Sequence, residues 1–204
     1  MGCDIHLYTE KKLLISNTWW CCDHFKLNPY YGEEYENKWN VVPIYDGRSY
    51  SLFTALAGVR DDGMTQIISS PRGLPDDVSE IIKQESDDFG VDGHSHSWLT
   101  AKELFIYQNK HPSTARHGMV DGEELSKLDE YGIPPRSWCR WTNSKTAQTR
   151  EWLSPGSVVD ELVKAVKKRM AEEFWIWDFL DKEEKEKRFL KNSENFRIIF
   201  WFDN

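Results

Sequence analysis

Phe196-Arg197-Ile198-Ile199-Phe200-Trp201-Phe202 is the stretch on which the fold turns. All of it except Arg197 is large and apolar, and aromatic and β-branched residues suit a pleated strand. The absence of apolar/polar alternation means that both faces are covered, so this strand belongs inside a sheet and not at an exposed edge. An inner strand needs neighbours. Residues 1–11 supply one: Cys3, Ile5 and Leu7 face one way while Asp4, His6, Tyr8 and Glu10 face the other, which is the two-residue period of a strand. Ser16-Asn17 marks a turn into a second strand through Trp19-Trp20. The expected fold is α+β: a mixed, mainly antiparallel sheet containing both terminal strands, packed by several helices.

Those helices are expected near 50–59, 100–107 and 155–170. Leu52, Phe53, Leu56 and Ala57 share one face of the first, with Gly58 near its end. Thr100 and Glu103 form a capping box for the second. Val158, Val159, Leu162, Val163, Val166 and Met170 form the apolar stripe of the third. Shorter helices are read from Asp76 to about Gln84, at Asp121/Glu124 and over Phe174 to Leu190. Residues 25–47 read as a long ordered loop ending in a short Val41-Val42 strand, and the prolines and glycine of 69–75 require a turn. No repeat, linker or low-complexity tract divides the chain, so residues 1–204 are read as one domain.

The 204 residues are 39% apolar, enough for a core, and include ten Trp, ten Phe and eight Tyr. With 34 acidic against 26 basic residues the formal charge is −8, which disfavours a nucleic-acid duplex as partner. No apolar run approaches the roughly 20 residues of a membrane span and no leader-like segment opens the sequence, so a cytoplasmic location is expected. Cys3, Cys21, Cys22 and Cys139 do not form a disulfide or zinc-ligand pattern and read as thiols, Cys3 on the apolar side of its strand.

Chemistry concentrates at Asp4, His6, His94 and His96. Asp4-Ile5-His6 puts a carboxylate and an imidazole on one side of a strand, and His94-Ser95-His96 does likewise if extended. These residue types suit zinc, manganese or iron, or serve as general acid and base, with Asp46, Asp92 or another His available to complete a shell; structural hydrogen bonding is the competing account. Arg48, Arg60 and Arg72 are candidate phosphate contacts and Trp98 a stacking platform for a planar ligand. His111, His117 and the Trp138-Cys139-Arg140-Trp141 run read mainly as loop and core residues. Phosphate-cradling, dinucleotide-binding and serine-nucleophile loops are all missing, which removes the usual supports for kinase, dehydrogenase and serine-hydrolase readings.

Asp4-Ile5-His6 and Gly93-His94-Ser95-His96 are similar to the first and last metal motifs of calcineurin-like metallophosphoesterases, whose middle motifs have no counterpart here. A longer resemblance spans almost the whole chain. Met1-Gly2-Cys3-Asp4-Ile5-His6, Pro71-Arg72-Gly73-Leu74-Pro75, His94 to Thr100 and Phe200-Trp201-Phe202-Asp203-Asn204 resemble a family of uncharacterised bacteriophage and prophage proteins. That resemblance implies a phage setting, hence a bacterial host cytoplasm, without supplying a mechanism; small phage accessory proteins often act on a host pathway. The expectation is metal-assisted hydrolysis of a phosphodiester, such as a nucleotide of antiviral signalling. The alternatives are a sponge that sequesters such a nucleotide, or an inhibitor that covers a host defence protein; a homo-oligomer is compatible with each.

Overall fold

The structure is a computed structural model describing residues 2–32 and 38–203. In chain order the strands are β1 (Asp4–Leu13), β2 (Thr18–Cys21), β3 (His24–Leu27), β4 (Trp39–Val42), β5 (His94–Thr100), β6 (Ser113–Val120), β7 (Gln148–Pro155) and β8 (Phe196–Asp203). The helices are α1 (Tyr50–Ala57), α2 (Glu80–Phe89), α3 (Ala101–Lys110), α4 (Gly122–Tyr131), α5 (Asp160–Glu173) and α6 (Lys182–Asn192).

The fold is α+β, and its main sheet has the order β2-β1-β8-β5 with both terminal strands inside it. Its pairings, like those of the smaller β3–β4 and β6–β7 ribbons, are antiparallel. Strand β8 takes the interior position its composition requires, with Phe196 to Phe202 all buried. One sheet face carries Ile5, Leu7, Leu99, Ile198, Phe200 and Phe202 into the main core, where α1, α3 and α5 cover them. The other carries Tyr8, Ile199 and Trp201 into a second cluster closed by Ile82 and Phe89 of α2 and by Leu74, Val78 and Val41.

Glu10 and Arg197 lie opposite each other on this second face and are both buried, an arrangement that stands only because every charge is met. The Arg197 Nε donates to Glu10 Oε2 at 2.7 Å, and its Nη1 donates to Asp77 Oδ1 at 2.8 Å. The Ser79 N–H completes the shell of Glu10 at 2.7 Å.

The capping box of Thr100 and Glu103 is present at the start of α3, and Gly58 ends α1 in the left-handed conformation. Other expectations shift. The third helix begins at Asp160 because Pro155 ends β7 and Gly156 turns the chain at φ 94; the Ser157 N–H then donates to Asp160 Oδ2. No single helix covers 174–190: Trp175 adopts φ 54, and α6 starts afresh where Asp181 accepts from the Glu184 N–H. The 76–84 helix runs instead from Glu80 to Phe89, after Ser79. The expected 25–47 loop carries the β3–β4 pairing, with residues 33–37 outside the described ones. The β6–β7 ribbon was not expected, since its strands show little apolar alternation.

Candidate functional site

The candidate site forms where β1 and β8 end together. Antiparallel register sets Asp4 opposite Asp203 and His6 opposite Trp201, so the side chain of His6 reaches diagonally to Asp203. His6 Nε2 lies 3.0 Å from Asp203 Oδ2, and the Asp4 N–H donates to Asp203 Oδ1 at 3.1 Å. Partial burial works against ionisation of Asp203. The His6 ring, the Asp4 N–H and the nearby Arg48 charge outweigh it and hold the carboxyl below its ordinary range. The carboxylate thus acts as the orienting partner of an imidazole that remains partly open to solvent.

Asp4 itself is engaged by Arg48, whose Nε donates to Oδ1 at 2.8 Å and Nη2 to Oδ2 at 2.6 Å, a two-pronged ion pair at an exposed rim. The same guanidinium packs over Gly2, where an added Cβ would stand 3.0 Å from Arg48 Nη1. Arg60 donates from Nη2 to the Gly2 carbonyl at 3.3 Å and lies over the Tyr50 ring. Two guanidiniums therefore gather at the first described residues of the chain, beside the His6–Asp203 pair.

The two histidines of β5 do not share a face. Pairing is regular from Ser97 to Thr100 and shifts between His94 and Ser97, where Ser95 takes φ 54 as the extra residue of a bulge. His96 stacks on Trp201 at 5.4 Å, while His94 lies against Phe202 at 6.1 Å, and these consecutive β8 residues point to opposite faces. The expectation that an extended His94-Ser95-His96 would present both rings together is corrected by this bulge. His96 joins His6 around Trp201, which His6, Tyr8 and Phe89 also contact. Ser86 of α2 holds His96 Nε2 at 2.9 Å. Burial, with the charge of His94, lowers the His96 pKa. Two buried nitrogens here, His94 Nε2 and Trp201 Nε1, have no hydrogen-bond partner among the described residues.

No family model, curated protein or solved structure matches this chain.

Among the described residues no three His, Cys, Asp or Glu side chains are grouped to hold a metal ion. Asp4, His6, His94 and His96 are instead distributed as an Asp4–Arg48 ion pair, a His6–Asp203 pair, a ring on each side of the sheet and a serine contact. Arg72 and Trp98 stand apart from the β1 end. The Arg72 guanidinium forks onto Glu103 and lies 4.9 Å from the Trp98 ring centre, and Arg197 meets Trp98 from elsewhere on the same face at 5.8 Å. Both are thereby tied into a row of alternating indoles and guanidiniums that ends at Trp19, 4.0 Å from Arg197. Cys3 is buried, which pushes its thiol pKa up. His111 is held by the Tyr107 carbonyl and Gln66, and Trp138 packs edge-on against Trp152.

Asp203 and Ser86 are the site residues that sequence reasoning missed. Asp203 could have been found by aligning residues 1–8 antiparallel to 196–203 and asking which carboxylate falls next to His6. Ser86 carries no such signal, because only the packing of α2 across the sheet brings it to His96.

Proposed function

We propose that the β1/β8 end binds a phosphodiester of nucleotide type, with Arg48 and Arg60 as phosphate contacts and His6, oriented by Asp203, as the proton-transfer group. The observation that supports this reading is the His6 Nε2–Asp203 Oδ2 contact of 3.0 Å beside the guanidinium fork at Asp4. A carboxylate bonded to one imidazole nitrogen fixes the tautomer and orientation of the ring and leaves its other nitrogen to exchange a proton with a ligand. A phosphate would compete with Asp4 for Arg48, offering the same two-pronged geometry with more charge. Release of Asp4 from Arg48 would also free that carboxylate for a divalent ion shared with His6, the point at which zinc or manganese could assist.

The test is incubation with a panel of cyclic dinucleotides and a chromogenic phosphodiester, with chelator, with Mn2+ and with Zn2+. Product should form with the wild type. His6→Ala should lower kcat by about 10²-fold or more, the usual range for loss of a general base. Arg48→Ala should act mainly on KM. Tight binding with intact ligand recovered after heating would convert the reading to sequestration; neither product nor binding in any condition would end it.

A further inference from the structure

A second site lies on the far side of α2, in an open groove of about 660 Å³ between that helix and the β3–β4 ribbon. Its walls differ in kind. Phe25 pairs with Val41 and Leu27 with Trp39, so alternation puts Phe25 and Trp39 on the same ribbon face, turned to α2. Both rings are largely exposed, as is Ile81 opposite them. The helix wall carries Glu80, Glu85 and Asp88, of which Glu85 and Asp88, three apart, are neighbours on the helix surface.

None of the described lining residues is basic, and among the described residues none of these three carboxylates is in an ion pair. Glu85 is the deepest: it is partly buried and accepts from the Tyr8 hydroxyl at 3.2 Å. Burial, together with repulsion from Asp88, raises its pKa despite that hydrogen bond and the charge of His6, so the groove holds negative charge at a cost that a cation would relieve. The Trp39 ring already receives a cation from this chain, with Lys38 Nζ 5.6 Å from its centre.

We propose that this groove is a binding site for a small organic cation, an ammonium or guanidinium on an apolar body. Its charge would face Glu85 and Asp88 while the body lies between Phe25, Trp39 and Ile81. The volume falls within the usual 300–1,000 Å³ of small-ligand sites, and apolar walls with a few convergent polar groups are their usual lining. Cation–π attraction and carboxylates held only by neutral donors, Tyr8 on Glu85 and Gln84 on Asp88, act together on such a ligand, whereas an uncharged analogue gains only the apolar contact. The groove shares α2 with the β1/β8 end, and Glu85 feels the charge of His6, but its test needs no catalytic activity.

The probes are 2-phenylethylammonium and its neutral counterpart 2-phenylethanol, titrated into the full chain and followed by NMR shifts of the tryptophan indole N–H signals and, in every variant, of the α2 backbone amides. The ammonium should move the Trp39 signal and bind at least about ten-fold more tightly than the alcohol, with the neutral partner retaining only apolar burial. Glu85→Gln keeps an acceptor for Tyr8 and should weaken the ammonium about ten-fold while leaving the alcohol unchanged. Trp39→Ala should weaken both, and Trp39→Phe should restore most of the affinity, which separates loss of the ring from loss of the fold. Glu183→Gln on α6 should change nothing. Equal binding of ammonium and alcohol would overturn the proposal, as would an unaltered affinity in Glu85→Gln. So would groove shifts seen only with an alternating Lys-Leu decapeptide, because the groove would then be a docking surface for a macromolecule.

Discussion

Arg197 joins four side chains on the second sheet face. It neutralises the buried Glu10, reaches Asp77 and lies against both Trp19 and Trp98. Replacement by Met would leave Glu10 charged, buried and short of a partner, so Arg197→Met should cost about 3–5 kcal/mol in urea unfolding. Adding Glu10→Leu to that variant should recover part of the loss; no recovery would show that the arginine stabilises through packing and not through charge. His96 gives a pH signature at the same scale. Its folded-state pKa lies below the ordinary imidazole value because of burial and the His94 charge. The unfolded chain therefore takes up the proton more readily, and the stability this ring contributes is complete above its unfolded pKa of about 6.5 and is lost as pH falls below it. Thermal unfolding at pH 7.5 and 5.5 should show a drop in the wild type that is smaller in His96→Asn. Equal drops would assign the pH dependence to other groups.

Among the elements, β5 shows how one backbone dihedral redirects chemistry. A bulge costs one unpaired residue, and a non-glycine residue at φ 54 is uncommon, yet the bulge is what sends His96 to Trp201 and His94 to Phe202. Ser95→Gly should be tolerated or slightly stabilising, while the β-branched Ser95→Val should destabilise by about 1–3 kcal/mol. Nuclear Overhauser contacts from the His96 ring to Trp201 would check that the register is kept in Ser95→Gly. The helices teach a related point. The capping box at Thr100 was legible because its two hydrogen bonds are local, joining residues three apart. The start of α5 was not. Its apolar stripe continues backward through Val159 and Val158, and only the pairing of β7 with β6 claims Pro155 for a strand. The break at Trp175 also lacks a sequence signal, since no glycine or proline marks it.

At the scale of the whole molecule, the C-terminal strand is the centre of the sheet and not its trailing edge. β8 pairs with β1 on one side and β5 on the other and feeds both apolar clusters. Removal of residues 196–204 should therefore abolish cooperative thermal unfolding and near-ultraviolet circular dichroism, because β1 and β5 would lose their shared partner and both cores would open. A truncated chain that still unfolded in one sharp transition would contradict this. The class of fold, the interior place of the last strand, the alternation of β1, the helix α1 and the capped helix α3 were all determined by the sequence itself, through short-range periodicity and local hydrogen bonds. The location of chemistry at Asp4 and His6 was an expectation from the same alternation. What only the tertiary structure decided is who meets whom: Asp203 at His6, Arg48 at Asp4, Ser86 at His96, and Trp39 across a groove from Glu85. Each of those pairs joins segments that lie apart in the chain or belong to different elements, and their approach depends on register, a bulge and helix packing. No local pattern of residues encodes these, because the free energy that selects them is summed over the whole core.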